Sequence, residues 1–326
     1  MTPAIALADI LAARARISGH VRRTDLVSSP ALTERVGAPV HLKLEHRQVT
    51  GSFKLRGATN AVLSLTDAER ARGIVGVSTG NHGRGLAHAA RQAGARCVIC
   101  MSRLVPANKV EGIRALGAEI RIAGDSQDEA QAEVDRMVAE DGMVMLPPFD
   151  HPAIIAGQGT LGLEIMEDLP EAATLLVQVS GGGLISGVAL AAKTIRPDIR
   201  IVGISMERGA AMAASQAAGR PVQVAELPTL ADSLGGGIGL DNRHTFAMVR
   251  DLVDEILLLT EDEIAAGIRW AYEREQEVVE GSGAVGIAAL LAGKVTGQGP
   301  IAVLVSGRNI DMDMHRRIVS GETIRL

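Results

Sequence analysis

The chain has 326 residues, of which 47% are apolar and 22% charged, a composition that buries a sizeable core in one large domain or two modest ones. A formal charge of -5 with no basic run gives no electrostatic basis for binding nucleic acid or an anionic membrane surface. No apolar stretch approaches the ~20 residues of a bilayer span, and Met1–Arg16 spreads its charges and alanines at helical spacing instead of forming a leader, so the sequence predicts a cytoplasmic protein.

From Val40 onward, short apolar β-rich runs alternate with helical patterns, the habit of βα units in a parallel sheet. Strands are predicted at Val40–Leu44, Ile74–Ser78, Arg96–Met101, Glu119–Ile122, Leu175–Val179, Ile201–Ser205, Ile256–Leu259 and Ile301–Val305. Helices are predicted at His82–Ala93, Lys109–Leu116 and Ser126–Glu140, each stopped by a glycine (Gly94, Gly117, Gly142) where a left-handed C-cap is needed. Ile74 to Met145 reads as one small α/β unit and the chain from Leu175 as a larger one, with Pro147-Pro148 as the return between them. Cys97 and Cys100 have the spacing C-x-x-C. They fall in an apolar run that reads as a strand, where side chains three apart face opposite ways, so they are expected to be buried, inert and separate. The histidines show no H-E-x-x-H spacing, which argues against zinc catalysis.

Four segments carry chemistry. In Thr50-Gly51-Ser52-Phe53-Lys54-Leu55-Arg56-Gly57, a lysine stands between a phenylalanine and a helix start. Taken alone, Lys54 is an ordinary solvated charge; a neutral ε-amine there would instead condense with an aldehyde such as that of pyridoxal phosphate. Ser180-Gly181-Gly182-Gly183-Leu184 follows a strand and opens a helix, a context in which backbone N–H groups and the helix dipole hold a phosphate. A dinucleotide site competes with that reading, because Glu207 follows the next strand, but glycines at 181, 182, 183 and 187 miss G-x-G-x-x-G by one residue. A ligand-free tight turn competes as well. Ser78-Thr79-Gly80-Asn81-His82-Gly83 offers hydroxyls, an amide and a helix start to a carboxylate and a ring hydroxyl, or else is a plain N-cap. Val305-Ser306-Gly307-Arg308-Asn309 presents a serine just beyond a strand, at the sheet edge where open α/β folds bind ligands.

With these motifs in this order, the chain resembles the fold type II pyridoxal-phosphate enzymes, specifically the serine/threonine dehydratase and serine racemase family, from about Ile10 to Ser320. The resemblance implies an α/β fold like the tryptophan synthase β-subunit, with two three-layer α/β/α domains and mostly parallel sheets. Residues 1–46 plus 147–326 would form the large cofactor-binding domain and 47–146 a small mobile substrate domain. It further implies that Lys54 anchors the cofactor and acts as general base, with Phe53 against the ring and Asn81 on the ring hydroxyl. Ser180, Gly181, Gly182, Gly183 and Leu184 would hold the phosphate, and Ser306 would face the pyridine nitrogen. Ser78, Thr79, Asn81 and His82 would take the substrate carboxylate, while Glu280, Asp232 and Gly236 would border the site. A hydroxyl at Ser306 does not keep the ring nitrogen protonated, which suits rapid loss of a β-hydroxyl and release of a 2-oxo acid and ammonia.

Finer resemblance, in segments 102–109, 206–212, 232–239 and 307–311, is to the hydroxyectoine-utilisation dehydratases. It implies a hydroxyectoine-derived substrate, with general threonine or serine dehydration, racemisation or nucleotide-dependent oxidoreduction as alternatives. Relatives with a divalent ion carry an Asp where this chain has Ala213, so no metal is expected. Racemases have a serine at the position of Thr79. The chain ends at Leu326 without the regulatory domain of biosynthetic threonine deaminases, and a homodimer is implied.

Overall fold

The apolar runs sort into two separate sheets in the computed structural model, which describes residues 5–325 apart from 79, 104, 106, 126 and 296–298. In chain order the strands are β1 (Leu26–Ser28), β2 (Val40–Lys43), β3 (Ile74–Val77), β4 (Cys97–Met101), β5 (Glu119–Ile122), β6 (Val144–Met145), β7 (Thr174–Gln178), β8 (Arg200–Met206), β9 (Glu255–Leu259) and β10 (Ile301–Leu304). Six form one sheet in the order β1-β2-β10-β7-β8-β9, and four form the other in the order β5-β4-β3-β6. Every pairing is parallel except β1 with β2, as βα connections require. All eight predicted strands are present with ends within one residue. β1 and β6 were not expected: at three and two residues they are too short to show a period, and only their neighbours define them.

Buried strands read as continuous apolar runs because helices cover both faces. β4 and β7 are buried throughout, whereas the edge strand β5 alternates charges outward, which blocks further pairing. The three predicted helices span Asn81–Gln92, Ala107–Arg114 and Gln127–Glu140, and Ser126, the predicted start of the last, lies outside the described residues. Gly94, Gly117 and Gly142 all take positive φ (65°, 104° and 67°), as the C-caps demand. Cys97 packs with Ile99 and Met101 on one face of β4 and Cys100 with Val75 and Val134 on the other. Burial pushes these thiols up to about 12 and about 11, so both are inert at neutral pH.

Three helices cross behind the sheets through glycines. The helix Pro152–Asp168 lies against Lys54–Ser64 and Gly183–Ile195. A Cβ on Gly157 would come within 2.7 Å of Gly57 Cα, and one on Gly187 would strike the backbone of Ile155 and Gly159. Gly187, the residue that nearly completes a nucleotide fingerprint, is therefore small for helix packing. Among the described residues, no helix is long and apolar enough to cross a membrane.

Candidate active site

Because β10 lies between β2 and β7, the loops leaving the carboxyl ends of β7 and β10 are neighbours, where open α/β sheets place their ligands. The loop after β10 also holds the lysine segment: Ser52 bridges Gly307, and Phe53 N–H donates to Ser306 O at 3.0 Å. Lys54 starts its helix with Nζ donating to the Pro148 carbonyl at 2.8 Å and 5.5 Å from the Phe53 ring centroid. It makes no ion pair among the described residues, and loss of hydration pushes its amine down to about 8.

Two connected spaces meet at this lysine. The inner one is lined by Phe53, Lys54, Asn81, Phe149, Gln178, the segment 180–184, Ser233, Leu234, Glu280, Ser282 and Ser306. The outer cleft, open to solvent, is lined by Lys54, Ser78, Asn81, His82, Lys109, Phe149, Ser180, Glu226, Asp232, Ser233 and Gly235–Gly237, among others. Of the residues singled out in the sequence, Thr79 lies outside the described residues. Glu207, the residue of the nucleotide alternative, is exposed and lines neither space.

Gly182 takes φ 89° as N-cap of the helix that begins at Gly183, so the helix start opens onto the inner space. Side chains are excluded here because Phe149 packs on the turn: a Cβ on Gly181 would enter its ring, and one on Gly183 would lie 2.8 Å from its carbonyl oxygen. Phe149 escaped the sequence reading; the available signal was a rare aromatic beside Pro147-Pro148. Ser282 and Gln178 were also missed, and Ser282 Oγ and Gln178 Oε1 are buried without a hydrogen-bond partner. Ser306 Oγ is 3.4 Å from the Ser282 carbonyl.

The segment 78–83 divides its labour. Ser78 Oγ accepts from Gly83 N–H at 2.9 Å, so its side chain caps the helix. Asn81 reaches across to the other sheet: its Nδ2 donates to Glu280 Oε1 at 2.7 Å, and its Oδ1 accepts from Asn309 Nδ2 at 2.6 Å. Glu280 also accepts from Asn309 N–H at 2.8 Å, yet burial, with Asp232 nearby, pushes it up to about 7. His82 Nε2 lies 2.9 Å from the Leu146 carbonyl, and burial, with the Lys54 charge, pushes the ring down to about 3. It is neutral at working pH with the proton on Nε2, so its Nδ1 is an acceptor and not a donor to a carboxylate. Asp232 bridges Lys109 at 3.0 Å across the outer cleft, and Gly236, at φ 93°, has no atom within 4 Å of where a Cβ would stand.

A helix N-terminus behind a glycine turn, a lysine of lowered basicity and a cavity with unpartnered hydroxyl and amide oxygens fit a phosphorylated aldehyde with a polar ring. Residues 17–307 match the family described as pyridoxal-phosphate-dependent enzyme, and the chain belongs to it. It is a pyridoxal-phosphate-dependent lyase of the threonine dehydratase-like, ammonia-lyase kind. A Sinorhizobium fredii protein provisionally assigned as a threonine dehydratase is 59% identical over 97% of this chain and 96% of its own. The L-threonine ammonia-lyase of Thermotoga maritima is 42% identical over 97% of this chain and 78% of its own. Among solved structures, maize serine racemase superposes with a TM-score of 0.92 at 37% identity, covering 97% of each chain.

Proposed function

We propose that this protein dehydrates a β-hydroxy α-amino acid, releasing ammonia and a 2-oxo acid. The carrying observation is the position of Lys54: a desolvated amine with no carboxylate partner among the described residues, on the wall shared by the inner cavity and the outer cleft. Bound pyridoxal phosphate supplies an electron sink for the carbanion at the substrate α-carbon. Lys54 would hold the cofactor aldehyde, and as a free amine it would remove the α-proton. The N–H groups of Gly181, Gly182, Gly183 and Leu184, with Ser180, would hold the phosphate, and Phe53 would flank the ring. Asn81, its amide fixed by Glu280 and Asn309, would hold the ring hydroxyl, and the Ser306 hydroxyl would hold the ring nitrogen. The backbone N–H groups at the start of the helix Asn81–Gln92, together with the segment Ser78-Thr79 that precedes it, would take the carboxylate. Water leaves the β-carbon, and hydrolysis of the resulting enamine returns one water, so amino acid is converted to 2-oxo acid plus ammonium.

The substrate on this reading derives from hydroxyectoine, as the ring itself or as an opened hydroxy-diaminobutyrate derivative. Support comes from the segments 102–109, 206–212, 232–239 and 307–311, and from Gly236 and Gly237, which leave side-chain space open along the outer cleft. A general threonine or serine dehydratase is the second reading, favoured by the names of the relatives. Residues 47–146 act as the mobile substrate domain against 1–46 plus 147–326, in a cytoplasmic homodimer. The experiment is 2-oxo acid release by cofactor-loaded protein on L-threonine, L-serine, hydroxyectoine and its ring-opened derivatives. Turnover confined to the hydroxyectoine-derived compounds is expected; turnover of threonine and serine alone establishes the second reading.

A further inference from the structure

Arg56 follows Lys54 by two residues on the same helix, about 200° around its axis, and so points away from the cavities. Its Nε and Nη2 donate to the two oxygens of Glu45 at 2.9 and 2.8 Å. Its Nη1 and Nη2 donate to the two oxygens of Glu164 at 2.6 and 2.9 Å, with Thr160 Oγ1 and the Arg22 carbonyl completing the shell. Lys43 Nζ lies 2.7 Å from Glu164 and balances the second carboxylate. Lys43 and Glu45 are 0% exposed and Arg56 1%, and none of these groups lines either cavity.

Burying two cations and two carboxylates carries a desolvation cost that well-packed apolar side chains avoid, so stability alone is a weak reason for such a cluster. Geometry is what it adds. A planar fork held by carboxylates on both sides admits one orientation, which an apolar contact does not enforce. The partners come from the strand and turn at 43–45 and from the helix Pro152–Asp168, whereas the front of the lysine segment is pinned by Ser52 and Phe53 to the loop after β10.

We propose that Arg56, gripped between Glu45 and Glu164, is a positioning residue that fixes the rotation and axial place of the Lys54 helix, keeping the amine where the two cavities meet. The inference rests on the assignment of Lys54 as cofactor anchor.

The test compares the unsubstituted chain with Arg56→Lys, which keeps the charge and loses the two-sided fork, and with Glu164→Gln, which keeps the shape and loses one charge. Each is loaded with pyridoxal phosphate, its visible circular dichroism is recorded, the linked lysine is trapped with borohydride and mapped, and kcat and KM are measured on the best hydroxy amino acid of the panel above. The expected result for Arg56→Lys is an altered visible dichroism band and a kcat lower by roughly tenfold to a hundredfold at nearly unchanged KM, since small misplacements of a reacting group cost that much. Glu164→Gln shifts both readouts in the same direction and carries the test if Arg56→Lys fails to fold. Folded variants with lower unfolding temperature but the dichroism and kcat of the parent overturn the proposal. Failure to trap Lys54 in the unsubstituted chain overturns the anchor assignment instead.

Discussion

Lys54 and Glu280 are moved toward neutrality from opposite sides, the amine down to about 8 and the carboxyl up to about 7, each mainly by lost hydration. The consequence for Glu280 is a stability term of definite sign. Between its ordinary value of 4.5 and about 7 the folded chain holds a proton that the unfolded chain has released, so stability is full below 4.5 and falls as pH rises through 7. Against the cofactor-free parent, whose slope also carries the opposite contribution of buried His82, Glu280→Gln is therefore expected to gain unfolding temperature from pH 4.5 to 7.5; a difference between the two that does not change with pH would refute the assignment. Lys54→Ala removes the proposed base, and turnover is expected to drop by about 10²–10⁴-fold or more together with the cofactor's covalent absorbance band. Gly181→Ala forces a Cβ into the Phe149 ring and is expected to cost about 1–3 kcal/mol in urea unfolding, recovered in part by Phe149→Leu.

Among the elements, the helix Gly183–Ile195 carries the proposed phosphate site at its start and packs in the core along its length. Its place depends on Gly187, whose replacement by Ala would push a methyl against the backbone of Ile155 and Gly159. Backbone cannot rotate aside as a side chain does, so the helices must separate. Gly187→Ala is expected to lower stability by about 1–3 kcal/mol and to weaken pyridoxal phosphate binding as measured by titration of the cofactor-free protein; unchanged affinity would show that the proposed phosphate site tolerates the shift.

At the scale of the molecule, the site is assembled from both sheets. Asn81, from the four-stranded side, is held by Glu280 and Asn309 from the six-stranded side, and Lys109 meets Asp232 across the outer cleft. The two links differ in strength. The Asn81 contacts are buried, whereas the Lys109–Asp232 side chains are 36% and 56% exposed, which limits that pair to about 0–1 kcal/mol. Asp232→Asn is accordingly expected to leave the urea midpoint nearly unchanged while raising substrate KM, and an unchanged KM would remove Asp232 from the substrate side of the cleft.

The linear chain determined the parallel α/β character, the strands β2 to β5 and β7 to β10, the separate fates of Cys97 and Cys100, and the lysine and glycine segments, because periodicity, turn glycines and strand-to-helix transitions are local properties. Tertiary structure decided what lies far apart in sequence: that the loops after β7 and β10 adjoin, that Phe149 dictates glycine at 181 and 183, that Gly187 serves a helix crossing, and that His82 turns its proton to Leu146. The buried grip of Glu45 and Glu164 on Arg56 belongs to the same group, since those carboxylates are 11 and 108 residues away. Hydrogen-bond partners and steric neighbours are set by sheet order and helix crossing, and neither leaves a period along the chain.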